Sequence, residues 1–347
     1  MIYTLKYKEQ LIEAGNGIKD ISKLDKSNIF ITGANGLICS ALIDLLMYYN
    51  QEYGYNIHVY AGSRNRKKSE QRFDYWKKNN NFTIVDYNAI EAFNSEIKYD
   101  YIIHGACSAN PALYVSNPVE IMLSNITGIK NILDYARFNN SKRVLYISSS
   151  EVYGNLNNNK AFKENDYGFI DILDVRSSYS SSKRASETLC ISYSNEYDID
   201  TVIVRPGHIY GPTMLESDNK VSSLFAREVI NNNDIIMKSD GSQIRSYCYI
   251  MDCISAILTV LILGEKGEAY NISNKNSIVT IKEMAEAFAF VKNKKVIFSI
   301  PSSEEKRAFN KMNNSSLNSD KLESLGWRGK YDIKLGAKST IEILSNR

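Results

Sequence analysis

The sequence predicts an α/β fold: a doubly wound parallel sheet, followed by a smaller C-terminal α/β lobe. Three observations carry that reading. Six short runs rich in β-branched and aromatic residues, 28–32, 57–61, 82–85, 101–104, 143–148 and 201–205, recur with helix-like segments between them. Such alternation builds a parallel sheet with helices on both faces. The first run passes directly into a glycine turn, Gly33-Ala34-Asn35-Gly36, and an apolar helix follows from Ser40 to Tyr49. Glycines in that position let the backbone approach a pyrophosphate resting on a helix N-terminus, as in a Rossmann-type dinucleotide site. Beyond Tyr210 the pattern changes, with helices expected at 221–231 and 252–263, a short strand at 269–272, and another helix opening at Thr280.

Along the chain, residues 1–26 are polar and mixed and read as an N-terminal helix or arm. Residues 27–206 form the sheet domain and 207–347 the C-terminal lobe. The run Val144-Leu145-Tyr146-Ile147-Ser148-Ser149-Ser150-Glu151 is a buried type of strand that delivers serines and a glutamate to its C-terminal end. That is where ligands bind in open α/β sheets. Tyr179 and Lys183 follow in Arg-Ser-Ser-Tyr-Ser-Ser-Ser-Lys-Arg. On a helix, four residues apart means one face and one turn. An ammonium beside a phenol favours phenolate and is expected to bring the tyrosine pKa toward neutrality. Such a tyrosine can take a proton from a sugar or alcohol hydroxyl. With 24 tyrosines in the chain, the spacing alone is weak; its order after the glycine turn and the serine strand gives it weight. Asn155–Asn159 reads as an exposed loop.

Composition narrows the function. The chain of 347 residues has 44% hydrophobic and 23% charged residues and a net charge of +3. It reads as a cytoplasmic, globular protein, with no argument for nucleic acid or membrane as partner. Five cysteines lie without metal-type spacing, so no metal site is expected and reduced thiols are. Cys39 and Cys107 read as small packing residues.

Together these motifs resemble the extended short-chain dehydrogenase/reductase family, in its nucleotide-sugar epimerase/dehydratase branch. Further stretches join the resemblance: Asp100-Tyr101-Ile102-Ile103-His104-Gly105-Ala106-Cys107, Asn125 in Ser-Asn-Ile-Thr-Gly, Arg205-Pro206-Gly207-His208-Ile209-Tyr210-Gly211-Pro212 and Asp240-Gly241-Ser242-Gln243-Ile244-Arg245. The resemblance implies an NAD(P)-dependent enzyme acting on a nucleotide-diphosphate sugar, with the C-terminal lobe interleaved with the sheet domain. It also implies a homodimer that packs the Tyr179 helix and the one before it; Ala185, Leu189, Ile191 and Tyr193 suit that face, and core packing explains them equally.

For the cofactor, the resemblance implies contacts from Gly33, Asn35, Gly36, Leu37, Ile38, Asp86, Tyr87, Ala106, Asn125, Tyr179, Lys183 and Pro206. The family fingerprint has a third glycine where this chain has Cys39, a modest change in packing. Between Glu52 and Glu70 there is no acidic residue to bind a ribose diol; the second strand ends Ala61-Gly62-Ser63-Arg64-Asn65-Arg66. Ser63 and Arg64 suit a 2′-phosphate and favour NADP over NAD. The alternative is a solvated basic turn with Arg64 stacked on adenine.

For catalysis, the resemblance makes Ser149 the hydroxyl on the reacting sugar oxygen, Tyr179 the acid/base, and Lys183 the holder of the nicotinamide ribose. Oxidation at carbon 4 of the sugar would give a ketone that undergoes epimerisation or decarboxylation. Sugar 4,6-dehydratases have Thr-Asp-Glu where this chain has Ser149-Ser150-Glu151; Ser150 replaces the acid for the leaving hydroxyl, which disfavours that reaction. The stretch is closer to the Thr-Ser-Glu-Val-Tyr-Gly of UDP-glucuronate decarboxylases. Glu151 is the candidate base, and Ser108, Ser150, His208 and Arg245 are the candidate substrate contacts. Arg176 or Arg245 could attract an acidic sugar. His208 stands where the family often has Asn; a packing role is the alternative. Two other readings stand beside the main one: an NADPH-dependent 4-ketoreductase of a 4-keto-6-deoxy nucleotide sugar, and a non-catalytic dinucleotide-binding sensor.

Overall fold

The structure, a computed structural model, describes residues 2–156, 160–299 and 312–346. The expected strands form within a residue or two of their bounds: β1 Asn28–Thr32, β2 His58–Ser63, β3 Phe82–Asp86, β4 Tyr101–His104, β5 Arg143–Ile147 and β6 Thr201–Pro206. They pair in parallel in the order β6-β5-β4-β1-β2-β3. The winding reverses between β1 and β4, which opens a crevice at their C-terminal ends. Before and between them run α1 Leu5–Gly15, α2 Leu37–Tyr53, α3 Arg66–Arg72, α4 Pro111–Ser116, α5 Pro118–Asn139 and α6 Ser177–Tyr197. Of the 155–159 loop, residues 157–159 lie outside the described residues.

Strand alternation builds two cores. Ile29, Ile31, Leu145, Ile147, Val202 and Val204 face α2 in the larger one, while Phe30, Ile102, Val144, Tyr146 and Ile203 face α5 and α6 in the other. Helix α2 runs longer than its apolar stretch. Gly36 caps it at the start, and Gly54 ends it with a left-handed φ of 69°, a conformation that glycine adopts without a Cβ penalty.

The second half holds β7 His208–Tyr210, α7 Val221–Ile230, β8 Ile235–Met237, β9 Ile244–Tyr249, α8 Ile250–Leu263, β10 Ala269–Ile272, β11 Ile278–Thr280, α9 Ile281–Val291, β12 Val296–Phe298 and β13 Asn314–Ser315. Strands β7, β11 and β13 all pair with β9. Two segments of this half reach back to the main sheet and its core. β10 pairs in parallel with β6, from Ala269 opposite Ile203 to Ile272 opposite Pro206. Helix α8 joins α2 in the larger core, because 12 of its 14 residues are buried and a helix apolar all round needs cover on every side.

The N-terminal arm is an integral helix. Tyr3 and Tyr7 each donate a 2.8 Å hydrogen bond to the Asp44 carboxylate on α2. Gln10 donates to Ser339 Oγ on the final helix and accepts from the Tyr249 hydroxyl. Among the described residues, no helix is long and apolar enough to cross a membrane.

Candidate active site

The ends of β1, β4, β5 and β6 converge on the crevice. At the end of β1, Gly33 has φ 71°, and a Cβ there would stand 2.6 Å from Gly105 O. Only glycine allows this turn and this approach to β4. No side chain caps the start of α2, so the first-turn amides around Leu37 and Ile38 are available to an anion. Asn35 donates to Ser63 Oγ at 2.7 Å and Ser69 Oγ at 3.0 Å, while its Oδ1 is buried without a partner. A glycine cradle and an uncapped helix end fit a dinucleotide phosphate, while the orphaned Asn35 acceptor suits a donor such as a hydroxyl of the same dinucleotide. Cys39 fits because its Sγ fills the space that a Cβ on Gly105 would enter; burial pushes its thiol up to about 12, so it is inert packing.

Thr32 and His104 tie β1 to β4. Thr32 Oγ1 accepts from the Gly105 and Ala106 amides at 3.1 and 3.2 Å and lies 2.9 Å from His104 Nδ1. With two amides already on its oxygen, Thr32 donates its own proton to Nδ1, which leaves the imidazole proton on Nε2. Burial, with the Lys183 cation adding, pushes His104 down to about 3, so the ring is neutral. Both residues lay inside recognised motifs without an assigned role. This pair sets the backbone of Ala106 at the crevice.

Beyond β2, Ser63 is 8% exposed. Arg64 donates to Glu120 at 2.7 Å, and Arg66 grips both oxygens of Asp86. Tyr87 packs its ring against Phe30 and Phe93, so its side chain serves the core. Asn125, on α5, has its hydrogen-bond partners within the helix packing. It is 1% exposed and its amide bonds Ser182 Oγ and Ile121 O, while its oxygen accepts from the Tyr146 hydroxyl. It braces α5 against α6, with its bonding capacity spent away from the crevice.

At the end of β5, Ser149 caps a short 3-10 turn, Ser150–Tyr153, by accepting from Glu151 N at 3.2 Å. The hydroxyls of Ser149 and Tyr114 lie beside the Tyr179 oxygen. The Tyr114 ring, on α4, stacks on Tyr179 at 4.2 Å and 7°, a contact the sequence reading missed. Lys183 donates to Ile147 O at 2.8 Å and lies 5.8 Å from the centre of the Tyr179 ring. Burial raises the Tyr179 pKa above its usual phenol value, and the Cys107 and Glu151 charges add to this; the two hydroxyls oppose it. The expectation of a near-neutral phenol is therefore corrected. The helix spacing does bring Lys183 close, but desolvation by burial is the larger effect on the phenol.

Glu151 accepts both terminal nitrogens of Arg176 at 3.1 Å. Ser108 and Ser150 are both half-buried. Across the crevice, Arg245 on β9 is 2% exposed and donates to Ile244 O and Gln243 Oε1. His208 opposes Tyr247 in the β7–β9 register, and its Nδ1 is buried without a partner. Burial, then the Arg245 and Lys220 cations, push it down to about 3. Pro206 closes β6 at the same edge. Among the described residues, no group of three or more His, Cys, Asp or Glu side chains could hold a metal ion.

A model of the NAD dependent epimerase/dehydratase family matches residues 29–273. UDP-glucuronic acid decarboxylase 6 of Arabidopsis thaliana is 32% identical over 76% of this chain and 75% of its own length. UDP-glucuronic acid decarboxylase 5 of the same plant is 30% identical over 91% and 89%. Among solved structures, UDP-glucose 4-epimerase of Thermotoga maritima, with UDP-glucose, superposes with a TM-score of 0.77 at 21% identity, covering 91% of this chain and 98% of its own.

Proposed function

The chain belongs to the NAD dependent epimerase/dehydratase family, and from that premise we propose how it works on a nucleotide sugar. It oxidises the sugar at carbon 4 and completes the reaction by decarboxylation or epimerisation. The observation that carries this reading is the meeting of Ser149, Tyr179 and Lys183 at the crevice, with Glu151 one turn away and serine at position 150.

Gly33, Gly36 and the first-turn amides of α2 hold the dinucleotide phosphates, and Asn35 and Ala106 border it. Held there, a dinucleotide would supply the hydride acceptor for carbon 4. Ser149 and Tyr179 hold the carbon-4 oxygen between their hydroxyls, and Tyr179 takes its proton. Lys183 reaches from Ile147 O toward a ribose hydroxyl and supplies the positive charge that favours the Tyr179 phenolate. Arg245 and His208 face the diphosphate; Arg245 is buried, and His208 is half-buried with its Nδ1 unpartnered. The serine at 150 supplies no acid for a leaving hydroxyl, which favours decarboxylation over dehydration. The relatives named decarboxylases support the same choice.

Ser63 and Arg64 take a 2′-phosphate, for which Arg64 would leave Glu120, so NADP is the proposed dinucleotide. A second copy covers the α5–α6 face, where Val119, Met122, Leu123 and Ile191 are exposed.

Mass spectrometry of the dinucleotide released from freshly purified protein tests the cofactor. Tightly held NADP⁺ is expected. NAD⁺ would sink the role given to Arg64, and empty protein that consumes NADPH would point to a ketoreductase. Replacing Tyr179 by Phe is expected to lower turnover about 10²–10⁴-fold; full turnover would overturn the mechanism.

A further inference from the structure

The turn that carries Glu151 is held from two sides. Arg184, on α6, donates to the carbonyls of Val152 and Tyr153 at 2.6 and 3.2 Å, which fixes the backbone of the turn. Arg176, at the start of α6, fixes the side chain. Its two terminal nitrogens meet the two Glu151 oxygens, each at 3.1 Å. Arg176 is itself restrained: its amide donates to Asp174 at 2.9 Å, and its guanidinium lies 5.9 Å from the Tyr114 ring, which stacks on Tyr179. The pair is only partly open to solvent, at 33% and 25% side-chain exposure. A carboxylate that accepts a forked guanidinium on both oxygens has its geometry set and its acceptor sites engaged. A base must present a free lone pair to the C–H bond that it breaks.

We propose that Arg176 is a positioning residue that withholds Glu151 from base chemistry, so the C–H bonds beside the carbon-4 ketone stay intact. This rests on the carbon-4 oxidation proposed above. In the step withheld, the C–H electron pair next to the ketone would move into an enolate at the carbon-4 oxygen, and the proton would pass to a Glu151 oxygen. Decarboxylation does not need that step: the bond from carbon 5 to the carboxylate breaks, and its electrons form the enolate. The clamp therefore selects outcomes. Without it, the same ketone is open to proton exchange and inversion at its neighbouring carbons.

The test uses UDP-glucuronate in D₂O, with mass spectrometry of the substrate recovered at partial conversion. Wild-type protein is expected to return unlabelled substrate. Arg176→Gln should return substrate labelled with one deuterium, at least about tenfold above the wild-type level. Arg176→Lys, which keeps the charge but not the fork, should fall between them. Adding Glu151→Gln to Arg176→Gln should remove the label, which assigns the exchange to Glu151. Labelling by wild type, turnover by Arg176→Gln without label, or label that survives in the double variant would each overturn the proposal. If wild type neither forms product nor reduces its dinucleotide at 340 nm, the carbon-4 oxidation falls and the clamp proposal falls with it.

Discussion

Two buried charged groups lie on opposite faces of the main sheet and are treated in opposite ways. Asp44, on α2, has no exposed side-chain surface. It accepts from the Tyr3 and Tyr7 hydroxyls at 2.8 Å, from Trp76 Nε1 at 2.9 Å and from Arg72 Nη2 at 2.5 Å. Both oxygens are filled, and the donors come from the N-terminal arm, from α3 and from the segment after it. Lys183, on α6, is 3% exposed, yet among the described residues its one hydrogen bond goes to Ile147 O. An ammonium has three protons to give, so two remain. Burial pulls its pKa below the usual lysine value, with Cys107 and Glu187 opposing. A buried charge with every site filled holds the fold together. One left with spare bonds at the mouth of a crevice is kept for a ligand.

The strongest way to break this comparison is to remove each charge and read activity and stability separately. Lys183→Met should lower turnover by about 10²–10⁴-fold. Its folding stability should hold or rise, since replacing a buried, under-bonded charge by an apolar side chain is neutral or stabilising. A loss of stability with turnover retained would make Lys183 a fold-holding residue like Asp44. Asp44→Ala should do the reverse. Arg72, two phenols and an indole lose their acceptor, at a cost of about 3–5 kcal/mol read by urea unfolding, while turnover per folded molecule is kept.

The same comparison explains what could be read from the sequence. The six strands, the glycine turn and the Tyr179–Lys183 spacing are local patterns, and each formed where the pattern put it. Contacts between distant residues were not legible. Thr32 meets His104 across 72 positions and Arg176 meets Glu151 across 25, and nothing in either segment names its partner. The filling of Asp44 by Tyr3 and Tyr7, 41 and 37 positions before it, was equally hidden. Burial was the second blind spot: spacing on a helix places Lys183 near Tyr179, but whether that phenol is wet or dry depends on Tyr114 and α4. Asn125 shows the same limit: its place on α5 was legible, and its bonds to Ser182 and Tyr146 were not.

Asp252 sharpens the comparison with a smaller effect, because it is a buried carboxylate served by neutral donors. It is 2% exposed and accepts from the amides of Lys330 and Tyr331 and from Asn274 Nδ2, at 2.9 to 3.0 Å. Among the described residues, no guanidinium joins these three bonds as Arg72 does at Asp44. Burial accordingly wins and pushes its pKa up to about 6, against the pull of those bonds. In the unfolded chain the group titrates near about 3.9. Between these values the folded state keeps a proton that the unfolded state releases, so stability falls as pH rises through this window and is regained on acidification. Measured against Asp252→Asn, which cannot titrate, wild-type protein should gain about 2 kcal/mol between pH 7.5 and pH 4.5. Parallel urea-unfolding curves at the two pH values read that difference directly. If the two proteins keep a constant gap, Asp252 is ionised in the fold, and neutral donors alone can do for a buried carboxylate what Arg72 does at Asp44.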